Sequence, residues 1–398
     1  VPSHSSRRSS GGGRPSDPVI VSGRRTAIAT AGHGFAGLGT TELAAPLLAD
    51  AVAFTASLDL PVDDVILGNC LGAGGDVARV ATLAAGLGVA VPAVTVDRQC
   101  GSGLDAVLQA AARVRSGDAR LVLAGGVESA STAPWRSWPP VGDAAPIRYT
   151  RAPFAPPGFP DPDMGQAADE LARRRGISRV RQDEYASRSH VLAAHSTAAG
   201  TFEVEILGVA GLLRDERPRS KMTVERLGRL RPTFTAAGSA TAGNSCGISD
   251  GAAVVSVTTA EHARVAGLPF FRILGAAVAG CDPAVPGLAI EAATRKLLQQ
   301  SAIADNGITL ADIGAIEITE AFASVALAAI DGLGLDGDLV CSDGGAIGLG
   351  HPWGASGAIL VVRLMTRMSR PDGPPVGLAA CAIGGGQGIA VLLEKAST

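Results

Sequence analysis

Two kinds of apolar spacing take turns along this chain. Short unbroken runs bounded by glycine or polar residues predict buried strands: VIVSG after Pro18, DDVILGN around Val65, PAVTV before Asp97 and ARLVLAGG around Leu123. Between them, apolar residues recur at helical intervals in TTELAAPLLADAVAF, with Thr40 or Thr41 as N-cap, in ARVATLAAGLG from Ala78 and in LDAVLQAAARVRSG from Leu104. Such alternation predicts a mostly parallel sheet covered by helices on both faces. It resumes beyond Ser249, with SDGAAVVSV, FFRILGAAVAG and AIEIT as strands and EAATRKLLQQSAI, AFASVALAAIDGL and AILVVRLMTRM as helices. Each half offers a glycine-rich turn, a helix and a strand stopped by glycines, which points to an internal duplication.

The pattern lapses from Ser131 to Gly247. Prolines and aromatics crowd the stretch from Ala133 to Asp163, where no regular element is expected, and two polar helical pieces follow. The expected organisation is therefore a flexible tail over 1–16, a first half over 17–130 completed by about 248–268, an inserted loop domain over 131–247, and a second half over 269–398.

Composition narrows the function. At 398 residues and 46% hydrophobic, the chain is long enough for two or three domains. A net charge of -3 with 18% charged residues offers no basic face for nucleic acid. No apolar run is read as a membrane span, so a soluble protein without a membrane partner is expected. The six cysteines are scattered without CxxC pairs, which fits a reducing, cytoplasmic setting, and the six histidines form no metal-ligand cluster, so no metal is expected.

Candidate chemistry gathers at breaks in the pattern. Cys100 stands where PAVTV gives way to CGSGL and a helix. Helix-dipole and free N–H groups would favour its thiolate, although a free cysteine is as readily a small packed hydrophobe. His351 lies in the turn GLGHP, as a base or as a local hydrogen-bonding group. Cys381 precedes Gly384-Gly385-Gly386, whose N–H groups suit an oxyanion, and is otherwise a packed strand residue. Thr319 joins a strand to a helix, as a site residue or an N-cap.

Together these motifs resemble those of the thiolase family, in the family's order and over nearly the whole chain from about Asp17 to Glu394. CGSGL at Cys100 is similar to the acylated nucleophile motif and AGGVES at Ala124 to the AGG-x-ES stretch. TAGNSCGISDGAA at Thr241, GGAIGLGHPWGASG at Gly344 and GGGQG at Gly384 resemble the remaining signatures. The resemblance implies two similar βαβαβαββ halves in five αβαβα layers with an inserted loop domain. It implies acyl-CoA and CoA as substrates, no covalently bound cofactor, and a homodimer or homotetramer. Cys100 would be acylated with His351 as base, and Thr319 would hold a water beside an enolate oxygen. The N–H groups of Cys100 and Gly384 would form the oxyanion hole, and Cys381 would shuttle a proton. Arg219, Met164, Cys246 and Phe322 would contact the CoA ester.

Five departures stand out. The family's second cysteine falls at Ala382 here, with Cys381 displaced by one, so that only a bulge would re-aim its side chain. Thr319 replaces an asparagine or histidine, Asp163 a histidine, Cys246 a serine, and Cys341 and Asp343 two asparagines. An acyl-CoA C-acyltransferase acting on 3-ketoacyl-CoA is the leading expectation. A thiolase-like acyl-CoA or lipid-binding protein with little turnover is the alternative.

Overall fold

The computed structural model describes residue 14 and residues 16–396, so the segment 1–16 read as a flexible tail lies almost wholly outside the described residues. The strands are β1 (Pro18–Arg25), β2 (Ala29–Thr30), β3 (Asp64–Gly68), β4 (Ala93–Val96), β5 (Leu121–Ser129), β6 (Arg136–Trp138), β7 (Ile147–Tyr149), β8 (Ser249–Thr259), β9 (Phe271–Gly280), β10 (Ala315–Ile318), β11 (Val376–Ile383) and β12 (Gln387–Lys395). The helices are α1 (Thr40–Thr55), α2 (Val77–Ala84), α3 (Ser102–Ser116), α4 (Met164–Arg175), α5 (Arg179–Ala198), α6 (Val224–Gly228), α7 (Ala260–Val265), α8 (Ala289–Leu298), α9 (Ser301–Ala304), α10 (Ala323–Leu333), α11 (Ala346–Leu349) and α12 (Trp353–Ser369).

Hydrogen bonding runs in one path, β10-β11-β12-β9-β1-β8-β5-β3-β4. Its middle link is thin, because β1 meets β9 only at Val19↔Arg272 and Ile20↔Phe271. On either side of that seam the order repeats. In the first half β4, β3 and β5 run parallel, and β8 and β1 follow antiparallel. In the second, the segment at Val340 bridges β10 in parallel, β11 is parallel to β10, and β12 and β9 follow antiparallel. The duplication expected from the glycine turns is thus carried by topology, where residue identity between the halves is low.

Helices α3 and α12 lie between the two sheets. The first packs on β3 and β5, and the second on β5 and β8 as well as β10 and β11. Outside, α1 covers β8 and β5, while α8 covers β9, β11 and β12. The central pair touches backbone to backbone: a Cβ on Gly357 would fall 2.3 Å from the Leu104 amide nitrogen, and one on Gly103 would fall 2.8 Å from the Gly354 carbonyl oxygen. A methyl group there forces the helices apart, so Gly357→Ala is expected to lower stability by about 2–3 kcal/mol. Its denaturant midpoint, at unchanged slope, measures this, and an unshifted midpoint would contradict the close approach.

Local details differ from the sequence reading in four places. Helix α1 takes Gly39 as its N-cap without a side-chain bond, so Thr40 and Thr41 fall inside its first turn. Thr40–Leu58 is long and apolar enough to cross a membrane by length and composition, contrary to expectation. It buries Leu43, Ala44, Leu47 and Leu48 in the core of the first half. Strand β5 runs on through Gly125 and Gly126 to Ser129, because β8 pairs with it along its whole length. Within the proline-rich insertion, β6 and β7 form a short antiparallel ribbon where no element was expected. Stacking supplies what the sequence pattern lacks: Trp138 lies on Tyr149 with centroids 4.8 Å apart, and the Arg148 guanidinium sits 3.9 Å from the Trp135 ring centroid. The insertion is fastened to β1 by buried Arg25, which donates to Glu205 and Asp215.

Candidate active site

The turn after β4 is set by Gln99, whose φ of +46° reverses the chain before Cys100. The Ser102 hydroxyl fastens it, accepting from the Arg98 N–H at 2.8 Å and donating to the Gln99 carbonyl at 2.6 Å. Cys100 therefore stands immediately before Gly101, the N-cap of α3, and is only partly buried. The backbone N–H groups of Cys100 and Gly384 favour its thiolate. Burial outweighs them, and with the neighbouring thiols of Cys381 and Cys246 it holds Cys100 well above the ordinary thiol range. Of the two readings left open by the sequence, burial favours the thiol over the thiolate.

His351 occupies the matching place in the second half, immediately before Pro352, the N-cap of α12. Its backbone N–H donates to the Gly247 carbonyl at 3.3 Å and to Ser249 Oγ at 3.2 Å. The Ser356 hydroxyl donates to the Pro352 carbonyl at 2.9 Å, leaving its oxygen to accept from His351 Nδ1, 2.5 Å away. That network assigns the proton to Nδ1 and leaves Nε2 with a bare lone pair; Nε2 is buried and has no hydrogen-bond partner among the described residues. Burial lowers the ring from 6.5 to about 4, so it stays neutral in any ordinary buffer.

His190 behaves alike. Burial first, then Arg217, lower it to about 4. Between about 6.5 and 4 the unfolded chain binds protons at both rings that the folded chain refuses. Stability is therefore lost as pH falls through that window, by up to about 3 kcal/mol for each histidine. A melting temperature that declines from about pH 7 to 4.5, and declines less in His190→Asn, is the expected observation; a flat profile would refute it.

Thr319 follows β10 directly and is not an N-cap, that position of α10 belonging to Phe322. Among the described residues its buried hydroxyl has no hydrogen bond of ordinary geometry, though it stands near enough to Cys381 to oppose the burial that pushes that thiol up to about 12. Thr319, Ser356 and Arg363 line a cavity of about 20 Å³, the size of one water. Cys381 is fully buried, its sulfur 3.3 Å from the Cys100 carbonyl oxygen and 3.1 Å from that of Ala382. The register of β11 with β12 runs unbroken from Val376↔Glu394 to Ile383↔Gln387. The bulge that would re-aim Cys381 is absent, so its side chain lies on the face toward α3 and Ala382 takes the other.

The remaining candidates converge from the insertion and from the loop before β8. Cys246 donates its N–H to the Ala321 carbonyl at 2.9 Å, and Ser245 bridges Phe322. Phe322 meets Phe234 edge-on at 5.7 Å, and Phe234 lies where a Cβ on Gly165, beside Met164, would fall. Arg219 is exposed nearby, its charge acting on His190 and Arg217. Asp163 is ion-paired with Arg151 at 3.4 Å.

Two buried carboxylates hold this arrangement and carry no role in the sequence reading. Glu128 accepts from the N–H groups of Cys70, Leu71 and Gly354, tying the His351 turn to the first half. Glu320 accepts from Tyr185, Ser189 and the Ile347 N–H. Glu128 lies inside the AGGVES motif and Glu320 directly follows Thr319, which is the signal that could have singled them out.

The duplicated fold with a cysteine and a histidine before two facing central helices defines a thiolase. Two family models match, described as "Thiolase, N-terminal domain" over residues 18–261 and "Thiolase, C-terminal domain" over 268–395, and the chain belongs to that family. It is 40% identical to the acetyl-CoA acetyltransferase of Escherichia coli K12 over 397 residues, covering 95% of this chain and 98% of that protein. It is 39% identical to the acetyl-CoA acetyltransferase of Pseudomonas aeruginosa over 396 residues, covering 95% and 99%. The crystal structure of the Bacillus anthracis acetyl-CoA acetyltransferase superposes with a TM-score of 0.89 at 36% identity, covering 96% of this chain and 99% of that one.

Proposed function

We propose that this protein is an acyl-CoA C-acyltransferase that cleaves 3-ketoacyl-CoA with CoA, or forms it by the reverse Claisen condensation, through an acyl group on Cys100. The observation that supports this reading is that Cys100 and His351 stand before α3 and α12, the two helices that meet backbone to backbone, with Nε2 of His351 buried and unpaired among the described residues. A carbonyl attacked by Cys100 would develop its negative charge beside the backbone N–H groups of Cys100 and Gly384. His351 Nε2 is the base that takes the Cys100 proton, since its other nitrogen is committed to Ser356. Thr319, with a water in the neighbouring cavity, would polarise the second acyl carbonyl. Met164, Phe322 and Cys246 would line the channel for the pantetheine arm, with Arg219 at its mouth for the nucleotide. The names of the relatives support acetyl-CoA as one acyl donor.

Incubation with acetyl-CoA followed by peptide mass analysis tests this: an acetyl group on the Cys100 peptide is expected, with consumption of acetoacetyl-CoA or a longer 3-ketoacyl-CoA when CoA is added. No adduct and no consumption would sink the proposal. Ala382 in place of a second thiol favours one other reading, a protein that binds acyl-CoA with little turnover. Saturable binding without loss of the ester would establish it.

A further inference from the structure

Carbon–carbon cleavage by a thiolase-type enzyme needs a group that gives a proton to the departing α-carbon and later takes one from CoA. Ala382, on the face of β11 opposite Cys381, has only a methyl group to offer. Cys381 points the other way, buried beneath the Cys100 backbone. Cys70 and Cys341 are buried as well, and Cys281 is directed at the carbonyls of its own turn. Cys246 is partly exposed and, unlike the others, belongs to the turn whose Gly247 carbonyl receives the His351 N–H. Arg217 braces the same turn, donating to the Ser245 carbonyl at 3.2 Å and the Ile347 carbonyl at 3.1 Å, and its charge opposes the burial that pushes the Cys246 thiol up to about 12.

We propose that Cys246 is the acid–base thiol of the carbon–carbon step, with Arg217 as counter-ion to its thiolate, in place of the thiol missing at position 382. This rests on the acyl-Cys100 reading. When Cys100 adds to the 3-keto carbon, its proton passes to His351 Nε2 and the carbonyl pair moves to oxygen. Collapse restores the carbonyl and breaks the bond to the α-carbon, which keeps the electron pair. Cys246 S–H protonates that carbon, releasing acetyl-CoA and leaving a thiolate beside Arg217, with the shortened acyl group still on Cys100. The entering CoA thiol returns a proton to Cys246 as its sulfur attacks the acyl group. Cys100 leaves and recovers its proton from His351.

The test separates proton transfer at carbon from acylation at sulfur. Wild type, Cys246→Ala, Cys246→Ser and the double variant Cys246→Ala/Ala382→Cys are incubated with acetyl-CoA in deuterium oxide, and deuterium in the acetyl group is measured. In parallel, Cys100 is acylated with an aryl thioester, whose leaving thiolate needs no proton. Both single variants are expected to lose exchange roughly 100-fold or more while acylation stays within about threefold. The double variant is expected to regain about tenfold of the lost exchange. Exchange within about threefold of wild type in the single variants overturns the proposal, as does an equal loss of acylation and exchange, which would mark Cys246 as structural support. Wild-type protein that takes no acyl group on Cys100 overturns the acyl-enzyme reading and this role with it.

Discussion

Cys100→Ala is expected to abolish the acyl adduct and to lower turnover of 3-ketoacyl-CoA by roughly 10,000-fold or more. The expectation follows from position rather than from the number of thiols nearby. Cys381 lies close to Cys100, but its sulfur is directed at the Cys100 carbonyl and it is fully buried. Cys246 lies in the turn before β8 rather than at the start of α3, so an adduct formed there would lack the backbone donors beside Cys100. Cys100→Ser is expected to be nearly as inactive, because a hydroxyl is a far weaker acid than even this burdened thiol and His351 is a weak base. Intact-mass measurement with acetyl-CoA and a steady-state assay check both variants. Turnover within about tenfold of wild type would place the nucleophile elsewhere.

His351→Ala is expected to slow acylation of Cys100 by roughly 1,000-fold, the loss of a positioned base for a thiol that is un-ionised on its own. The pH dependence gives the finer test. Lowering the pH adds a proton to Nε2 and removes the base, and because burial holds the ring at about 4, the acylation rate should stay level through pH 6.5 and fall only toward 4. Ser356→Ala frees Nδ1, lets the proton sit on either nitrogen, and is expected to cost about tenfold to 100-fold in rate. Single-turnover acylation across the pH range measures this. An inflection near 6.5 in the wild type would show that His351 is not the base, or is not buried in the working enzyme.

The strands and helices flanking the site were legible because local pattern and tertiary environment agree there. PAVTV becomes β4, and LDAVLQAAARVRS becomes most of α3. The alternation rule also placed Cys381 and Ala382 on opposite faces, although only the unbroken pairing of β11 with β12 excludes a bulge. Other features depend on distant partners and leave no local trace. A helix N-terminus beside Cys100 is visible in sequence, whereas burial against Cys381 and Cys246 is not. The tautomer of His351 is decided by Ser356, five residues on, whose hydroxyl could as well have faced solvent. The β6–β7 ribbon rests on aromatic stacking within a segment whose prolines argue against any strand.

The contact between α3 and α12 has a consequence for divisibility. Cys100 and His351 precede two helices contributed by different halves, and Glu128 of the first half holds the N–H of Gly354 in the second. A gene cut between residues 261 and 268, where the two family models part, would yield two polypeptides that each lack one reactant of the pair. Mixing them restores catalysis only if the glycine faces of the two helices find each other. Recovered activity would then report reassembly of the whole interior, and it would rise with the product of the two fragment concentrations.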